Sequence, residues 1–179
     1  VLITGGARSG KSTFAEALAA GSKKTVFYIA TMEEISTDAE AVERIARHRK
    51  RRPEDWLTME SALQVDRAVQ AIDKKPAVCL IDCLSLYVSN LVLEENDGKC
   101  EYERLENKVV LAANTLLDAI ALQKDVEFIV VTNEVGWGIV PENGLARAYR
   151  DLLGIVNQIF ARSATRVWLS CSGLQLPLK

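Results

Sequence analysis

The sequence predicts an α/β protein built on a mainly parallel sheet, and two observations carry that reading. Short, apolar, β-rich runs alternate with segments of helical periodicity along nearly all of the 179 residues. The first of these runs leads straight into a glycine-rich loop closed by Lys-Ser, with a helical pattern directly behind it.

The elements follow in order. VLIT (1–4) is the first strand, and an initiator Met is expected ahead of it because chains rarely begin at a functional strand. After the glycine-rich loop, STFAEALAA (12–20) places Phe14, Ala15, Leu18 and Ala19 at helical spacing, and Gly21 closes that helix. TVFYIA (25–30) reads as a second buried strand. Residues 38–50 form a helix with Asp38 as its N-cap and Val42, Ile45 and Ala46 along one side, stopped by Pro53. WLTM (56–59) is a third strand, followed by a helix over 61–72 carried by Leu63, Ala68, Val69 and Ile72. Pro76 introduces AVCLID (77–82), a buried strand that ends in an acid.

LSLYVSNLVLE (84–94) is helical and apolar around its whole circumference, which predicts burial or a subunit contact. NDG (96–98) is the clearest turn signal. The longest periodic segment, 101–124, lines up Leu105, Val109, Ala112, Leu116 and Ile120. VEFIVVT (126–132) is another strand, and NEVGWGIVPENG (133–144) is a long polar loop of the kind that carries function. A last helix over 145–163 precedes strands at 165–170 and 174–178, the final one an edge because it contains Pro177. Neither a repeat nor a linker interrupts the pattern, so one domain over 1–179 is expected.

Composition narrows the function classes. Hydrophobic residues make up 49% of the chain, enough for a core of its own, and 4 Pro with 10 Gly exclude a collagenous or mainly disordered chain. A net charge of -2 argues against a general nucleic-acid binder. No apolar run reaches the roughly 18 to 20 residues of a membrane helix, and the N-terminus lacks a secretory-signal pattern. Cys79, Cys83, Cys100 and Cys171 form neither a dense disulfide framework nor a C-x-x-C pair, so they are expected as buried free thiols in a cytoplasmic protein.

Gly5, Gly6, Ala7, Arg8, Ser9, Gly10, Lys11 and Ser12 match G-x-x-x-x-G-K-[ST] at every fixed position, between a strand and a helix. Small residues let the backbone turn so that several N–H groups point at a phosphate, and the helix start adds partial positive charge. Lys11 reaches the β- and γ-phosphates and the Ser12 hydroxyl can ligate Mg²⁺. The bland alternative, a glycine-rich turn with an incidental lysine, leaves this agreement of motif, strand and helix unexplained. Asp82 stands at the carboxyl end of its strand, where it either holds Mg²⁺ or acts as a capping or salt-bridged aspartate. These features leave kinase, NTPase and nucleotidyltransferase open. No N-K-x-D motif of GTP-switch proteins is present, so base preference is not legible from the loop.

Arg47-His48-Arg49-Lys50-Arg51-Arg52 surrounds the single histidine with cations. At about 100° per residue, His48 falls at the flank of the apolar face. Neighbouring cations favour the neutral, nucleophilic imidazole and attract a polyphosphate. Attack on an α-phosphate would form a phosphoramidate and expel pyrophosphate. A solvated basic helix end and an anion-contact patch account for the same residues, and spacing alone does not choose among them.

TGGARSGKS, YIAT (28–31), RIxxHRxxRPxxW (44–56), the acid-ended strand, VTNEVGWGIVPEN (131–143), NQxxA (157–161) and a terminal VWLSCSGLxLPLK occur in that order. Together they resemble the bifunctional adenosylcobinamide kinase / adenosylcobinamide-phosphate guanylyltransferase family of cobalamin biosynthesis, over essentially the whole chain. The TNEVGWGIVPEN block discriminates far more than the phosphate loop, which many unrelated enzymes share.

The resemblance implies a P-loop, RecA-like three-layer sandwich, mainly parallel with one antiparallel strand. It implies phosphorylation of adenosylcobinamide by a nucleoside triphosphate, then GMP transfer from GTP to the new phosphate, with GTP and ATP as substrates and Mg²⁺ as cofactor. It places the family's guanylyl-histidine on His48 and implies a homotrimer; the second catalytic candidate, Lys11, neutralises with the loop amides the charge on transferring or leaving phosphate oxygens. On this reading Ser12 and Asp82 place the metal, while Arg49 and Arg52 steady the triphosphate or the corrinoid phosphate. Glu134 either orients a metal-bound water or acceptor hydroxyl or caps its loop, and Arg147 is either a phosphate contact or a surface residue. Two rivals remain: a simpler P-loop kinase for a small metabolite, which leaves His48 without work, and a nucleotide-regulated RNA-binding module using residues 47–52. The charge balance and the lack of aromatic interleaving disfavour the second.

Overall fold

A computed structural model describes residues 1–32, 52–95 and 101–179. The expected helix over 38–50, the NDG turn and Cys100 lie outside the described residues. The chain forms β1 (Leu2–Gly5), α1 (Lys11–Gly21), β2 (Thr25–Ala30), β3 (Leu57–Glu60), α2 (Val65–Gln70) and β4 (Ala77–Asp82). It continues with α3 (Leu84–Glu94), α4 (Tyr102–Leu122), β5 (Val126–Val131), α5 (Gly144–Ser163), β6 (Val167–Cys171) and β7 (Leu174–Pro177).

The strands make one seven-stranded sheet in the order β3-β2-β4-β5-β1-β6-β7. Every described pairing is parallel except β6 with β7, the expected antiparallel edge. Alternation along the strands divides the core into two clusters. Leu2, Phe27, Ile29, Cys79, Ile81 and Val130 pack against α2, α3, α4 and α5. Ile3, Val26, Tyr28, Leu80, Ile129 and Val131 pack on the other face, against Ala15 and Ala19 of α1. Strands buried on both faces explain the near-continuous apolar runs of the sequence, and the result is a three-layer α/β sandwich. α3 needs both clusters: Leu84, Tyr87, Val88 and Leu91 face one and Leu86 the other, so burial within the fold accounts for most of its apolar circumference, while Leu93 stays exposed.

Three expectations shift for local reasons. The helix expected over 61–72 is only Val65–Gln70, because Ser61 N donates to Ala30 O at 2.9 Å and prolongs the β2–β3 ladder, while Ile72 N bonds to Val69 O in a tightened last turn. The third strand begins at Leu57, since Trp56 closes a turn with Pro53 and packs its indole near Tyr28. The thiols also differ from expectation: Cys79 and Cys83 are buried but Cys171 is exposed. Cys171 ends β6 opposite Leu174 of the edge strand, where no further layer covers it. The hairpin beyond it turns on Ser172 and Gly173, at φ 52° and 83°, the left-handed pair that a two-residue hairpin requires.

Register places the functional edge. Asp82 pairs with Ala30 and Val131, and Ile3 pairs with Val131. The loops leaving β1, β2, β4 and β5 therefore emerge together at the carboxyl edge of the parallel sheet, where ligands of open α/β folds collect.

Candidate active site at the carboxyl edge

The phosphate loop is held by its neighbours. Gly5 O accepts from Glu134 N at 3.0 Å, and Ser9 O accepts from Gly173 N at 2.9 Å. Gly5 sits at φ +150°, and a Cβ there would lie 2.3 Å from Ser170 O. Only glycine lets β1 run this close to β6 and still turn. Gly10, at φ +98°, is the left-handed N-cap of α1, and Phe14 N returns to its carbonyl at 3.0 Å. Gly6, Ala7 and Arg8 stay exposed, while Ser9 and Lys11 are buried. Lys11 Nζ lies back over the loop and donates to Gly6 O at 2.7 Å. Half-buried Ser12 occupies the first turn of α1, which contains no acidic residue to offset its N-terminal charge.

Asp82 is the hub of a second group. The Tyr28 phenol donates to Asp82 Oδ2 at 2.7 Å, and the Arg52 guanidinium carbon lies 3.6 Å from the Tyr28 ring centroid. Among the described residues the buried Arg52 Nε has no hydrogen-bond partner, and the guanidinium is held over the π-face of Tyr28. Burial first, and then the Asp82 charge, push the Tyr28 phenol far above the ordinary range, which keeps it protonated and donating.

Thr31 braces the start of the next loop. Its Oγ1 accepts from Cys83 N and donates to Cys83 O, both at 2.8 Å, while Asn90 Nδ2 donates to Thr31 O at 2.8 Å. The Cys83 thiol contacts Ser85 Oγ at 2.8 Å and is pushed up to about 11, by burial first and then by the Asp82 charge. It is a packed neutral thiol and not a nucleophile.

The 133–143 loop is tied mainly at its ends. Thr132 Oγ1 donates to Asn157 Oδ1 at 2.6 Å, and Asn157 Nδ2 donates to Asn133 O at 3.0 Å. Glu134 Oε1 accepts from Gly136 N at 3.0 Å, the turn-capping arrangement. Asn143 caps α5 through Ala146 N, and Arg147 donates to Pro141 O at 2.9 Å and Glu142 O at 2.6 Å, holding the exit of the loop. Between these ties Trp137, Ile139 and Val140 are exposed at 78%, 96% and 60%.

The structure thus brings together residues 5–12, Asp82, Glu134 and Arg52 along one edge. His48 and Arg49 lie outside the described residues. Sequence reasoning missed the supporting side chains Tyr28, Thr31, Asn90, Thr132 and Asn157. YIAT and NQxxA were visible as motifs, but no spacing rule says that their polar members bond to strand ends. As a donor set for a cation, Asp82 and Ser12 offer one carboxylate and one hydroxyl. Among the described residues no group of three or more His, Cys, Asp or Glu gathers to make an all-protein cage. That set fits Mg²⁺, which usually completes its shell with phosphate oxygens and water.

The model of the cobinamide kinase / cobinamide phosphate guanyltransferase family matches residues 1–178. The chain belongs to this family. It is 40% identical over 183 residues to the bifunctional adenosylcobalamin biosynthesis protein CobU of Escherichia coli K12, covering 100% of this chain and 99% of that one. The CobU protein of Salmonella typhimurium is likewise 40% identical, with 100% and 99% covered. CobP of Pseudomonas aeruginosa is 39% identical over 178 residues, with 99% and 96% covered. Membership makes the chain a bifunctional kinase and guanylyltransferase of cobalamin biosynthesis. A prototypical ATPase from the type III secretion system of pathogenic bacteria shares the fold alone, at TM-score 0.53 and 11% identity, over 94% of this chain and 49% of that one. Among the described residues no helix is long and apolar enough to cross a membrane.

Proposed function

We propose that one P-loop domain over residues 1–179 performs both family reactions with ATP or GTP, using the residue roles that follow. In the first, the amides of Gly6 to Ser12 and the Lys11 ammonium neutralise charge on a triphosphate while its γ-phosphoryl passes to the aminopropanol hydroxyl of adenosylcobinamide. Ser12 and Asp82 would hold Mg²⁺, which supplies charge neutralisation at the phosphate oxygens. In the second, the His48 imidazole attacks the α-phosphorus of GTP. A P–N bond forms, the bond to the β-phosphate oxygen breaks, and pyrophosphate leaves. An oxygen of adenosylcobinamide phosphate then attacks the same phosphorus and the P–N bond breaks, giving adenosylcobinamide-GDP and releasing the histidine. Arg49 and Arg52 steady phosphate oxygens in this step, and Glu134 shapes the loop beside Gly5. The working form is a cytoplasmic homotrimer that acts on no nucleic acid.

One observation carries the reading. Arg52, the described end of the basic segment that contains His48, is seated on Tyr28, and Tyr28 holds Asp82. The described fold thus seats Arg52 beside the Asp82 group, and the role given to His48 is supported by its match to the family's RIxxHR segment.

The test is covalent trapping. Incubation with Mg²⁺ and α-³²P-GTP is expected to give acid-labile, alkali-stable protein label, with none from γ-³²P-GTP and none in His48→Ala. Nucleotide-binding wild-type protein that takes no α label would return the chain to the kinase reaction alone.

A further inference from the structure

We propose that Tyr28 is the positioning residue of the metal carboxylate, locking Asp82 in one orientation through its phenol and carrying Arg52 on its ring. The proposal rests on the reading of Asp82 as the Mg²⁺ carboxylate and adds a residue to it.

The register is the first argument. Ala30 is the β2 partner of Asp82, and Tyr28 stands two residues earlier, so the phenol and the carboxylate are diagonal neighbours on one face of the sheet. That face is the α1 face: Tyr28 and Leu80 share a cluster with Ala15 and Ala19, and the charge of Glu16 is felt at the phenol. The helix that begins with Lys11 and Ser12 therefore covers the strand pair that carries Asp82 and Tyr28.

The chemistry of the contact is the second argument. Asp82 is half-buried whereas Tyr28 is 1% exposed, so the fixed partner is the tyrosine and the carboxylate is what it holds still. With Oδ2 engaged by the phenol, Oδ1 is the oxygen left to a metal. The third argument is Arg52. Its buried Nε has no hydrogen-bond partner among the described residues, and its guanidinium carbon lies 3.6 Å from the centroid of the same ring. A single side chain thus joins the carboxylate at the end of β4 to the arginine at the end of the basic segment. A phenylalanine would pack as well but would hold only one of the two.

Tyr28→Phe keeps the ring under Arg52 and removes the hydroxyl, and water can reach the half-buried carboxylate, so the thermal midpoint is expected to move little. Mn²⁺ binding in the presence of a non-hydrolysable GTP analogue, followed by electron paramagnetic resonance, should weaken about tenfold, the scale of a hydrogen bond to a charged group. In turnover, the Mg²⁺ half-saturation of both reactions should rise by the same factor, and raising Mg²⁺ should recover the rate. Unchanged Mn²⁺ affinity in a well-folded Tyr28→Phe would overturn the proposal. So would a rate loss that is uniform across Mg²⁺ concentrations and accompanied by a lowered melting midpoint. Asp82→Asn separates the two levels: if it too binds Mn²⁺ like wild type while still binding nucleotide, the failure lies with Asp82 and not with Tyr28.

Discussion

Two loops leave the carboxyl edge side by side and are built on opposite terms. Residues 5–12 are fixed by segments distant in sequence: Glu134 bonds Gly5, Gly173 bonds Ser9, and β6 runs so close that Gly5 admits no Cβ. Residues 133–143 are tied at entry through Asn157 and at exit through Asn143 and Arg147, and between these Trp137, Ile139 and Val140 point into solvent. The contrast follows from what each loop offers a ligand. A phosphate held by backbone N–H groups needs those groups aimed in advance, because a misdirected amide loses charge-assisted bonds it cannot recover by moving a side chain. A loop that offers apolar side chains needs only to be anchored. The Glu134–Gly5 bond joins the two, so the open loop hangs from the fixed one.

The sharpest way to break this comparison is Gly5→Ala. The added Cβ would meet Ser170 O at 2.3 Å, a backbone atom that moves only with β6, and φ +150° is itself strained for alanine. Urea unfolding should show a loss of about 3 kcal/mol, and nucleotide binding should fall with it. A near-neutral result would mean that β1 and β6 separate easily, and the fixed loop would not be fixed.

A second test sharpens the contrast between buried and open chemistry at this edge. At about pH 8, alkylation mapped by mass spectrometry should modify exposed Cys171 and spare Cys79 and Cys83 until the protein unfolds. The sign of the pH effect follows from the Cys83 thiol, which is raised to about 11 from 9.0. An acid whose folded value is raised gives stability that is complete below its unfolded value and is lost as pH rises through the folded one. Cys83 should therefore contribute a decline in stability between about pH 9 and about 11, absent from Cys83→Ala measured against its own neutral-pH value.

How much of this was legible beforehand depends on the kind of signal. The sheet was legible because apolar runs report strands buried on both faces, and Pro177 reported an edge. The phosphate loop was legible because its glycines, lysine and serine sit at fixed spacing. Asp82 was visible as the acid at a strand end. What sits around Asp82 was not, because Tyr28 is 54 residues away in sequence and reaches it only through the β2–β4 register. The apolar run told that the strand carrying Tyr28 would be buried, but not that its hydroxyl would find a carboxylate. The shortened α2 was hidden for the same reason: Ser61 continues a ladder whose other half lies far back in the sequence, at Ala30.

The smallest expected effect is the most informative about the open loop. Trp137 and Ile139 are 78% and 96% exposed, so replacing either by alanine removes almost no buried area. Stability should change by less than about 0.5 kcal/mol, the usual bound for surface positions. A Trp that large would ordinarily be recruited to a core, and leaving it outside sacrifices hydrophobic stabilisation of the order of 2 kcal/mol. The comparison then predicts where the effect goes instead. Trp137→Ala should leave nucleotide binding at the fixed loop untouched while raising KM for the corrinoid, a large substrate whose apolar surface needs a partner beside the phosphates. Steady-state kinetics with each substrate varied in turn reads both quantities, and a Trp137→Ala enzyme whose nucleotide KM rises instead would mean that the two loops act as one.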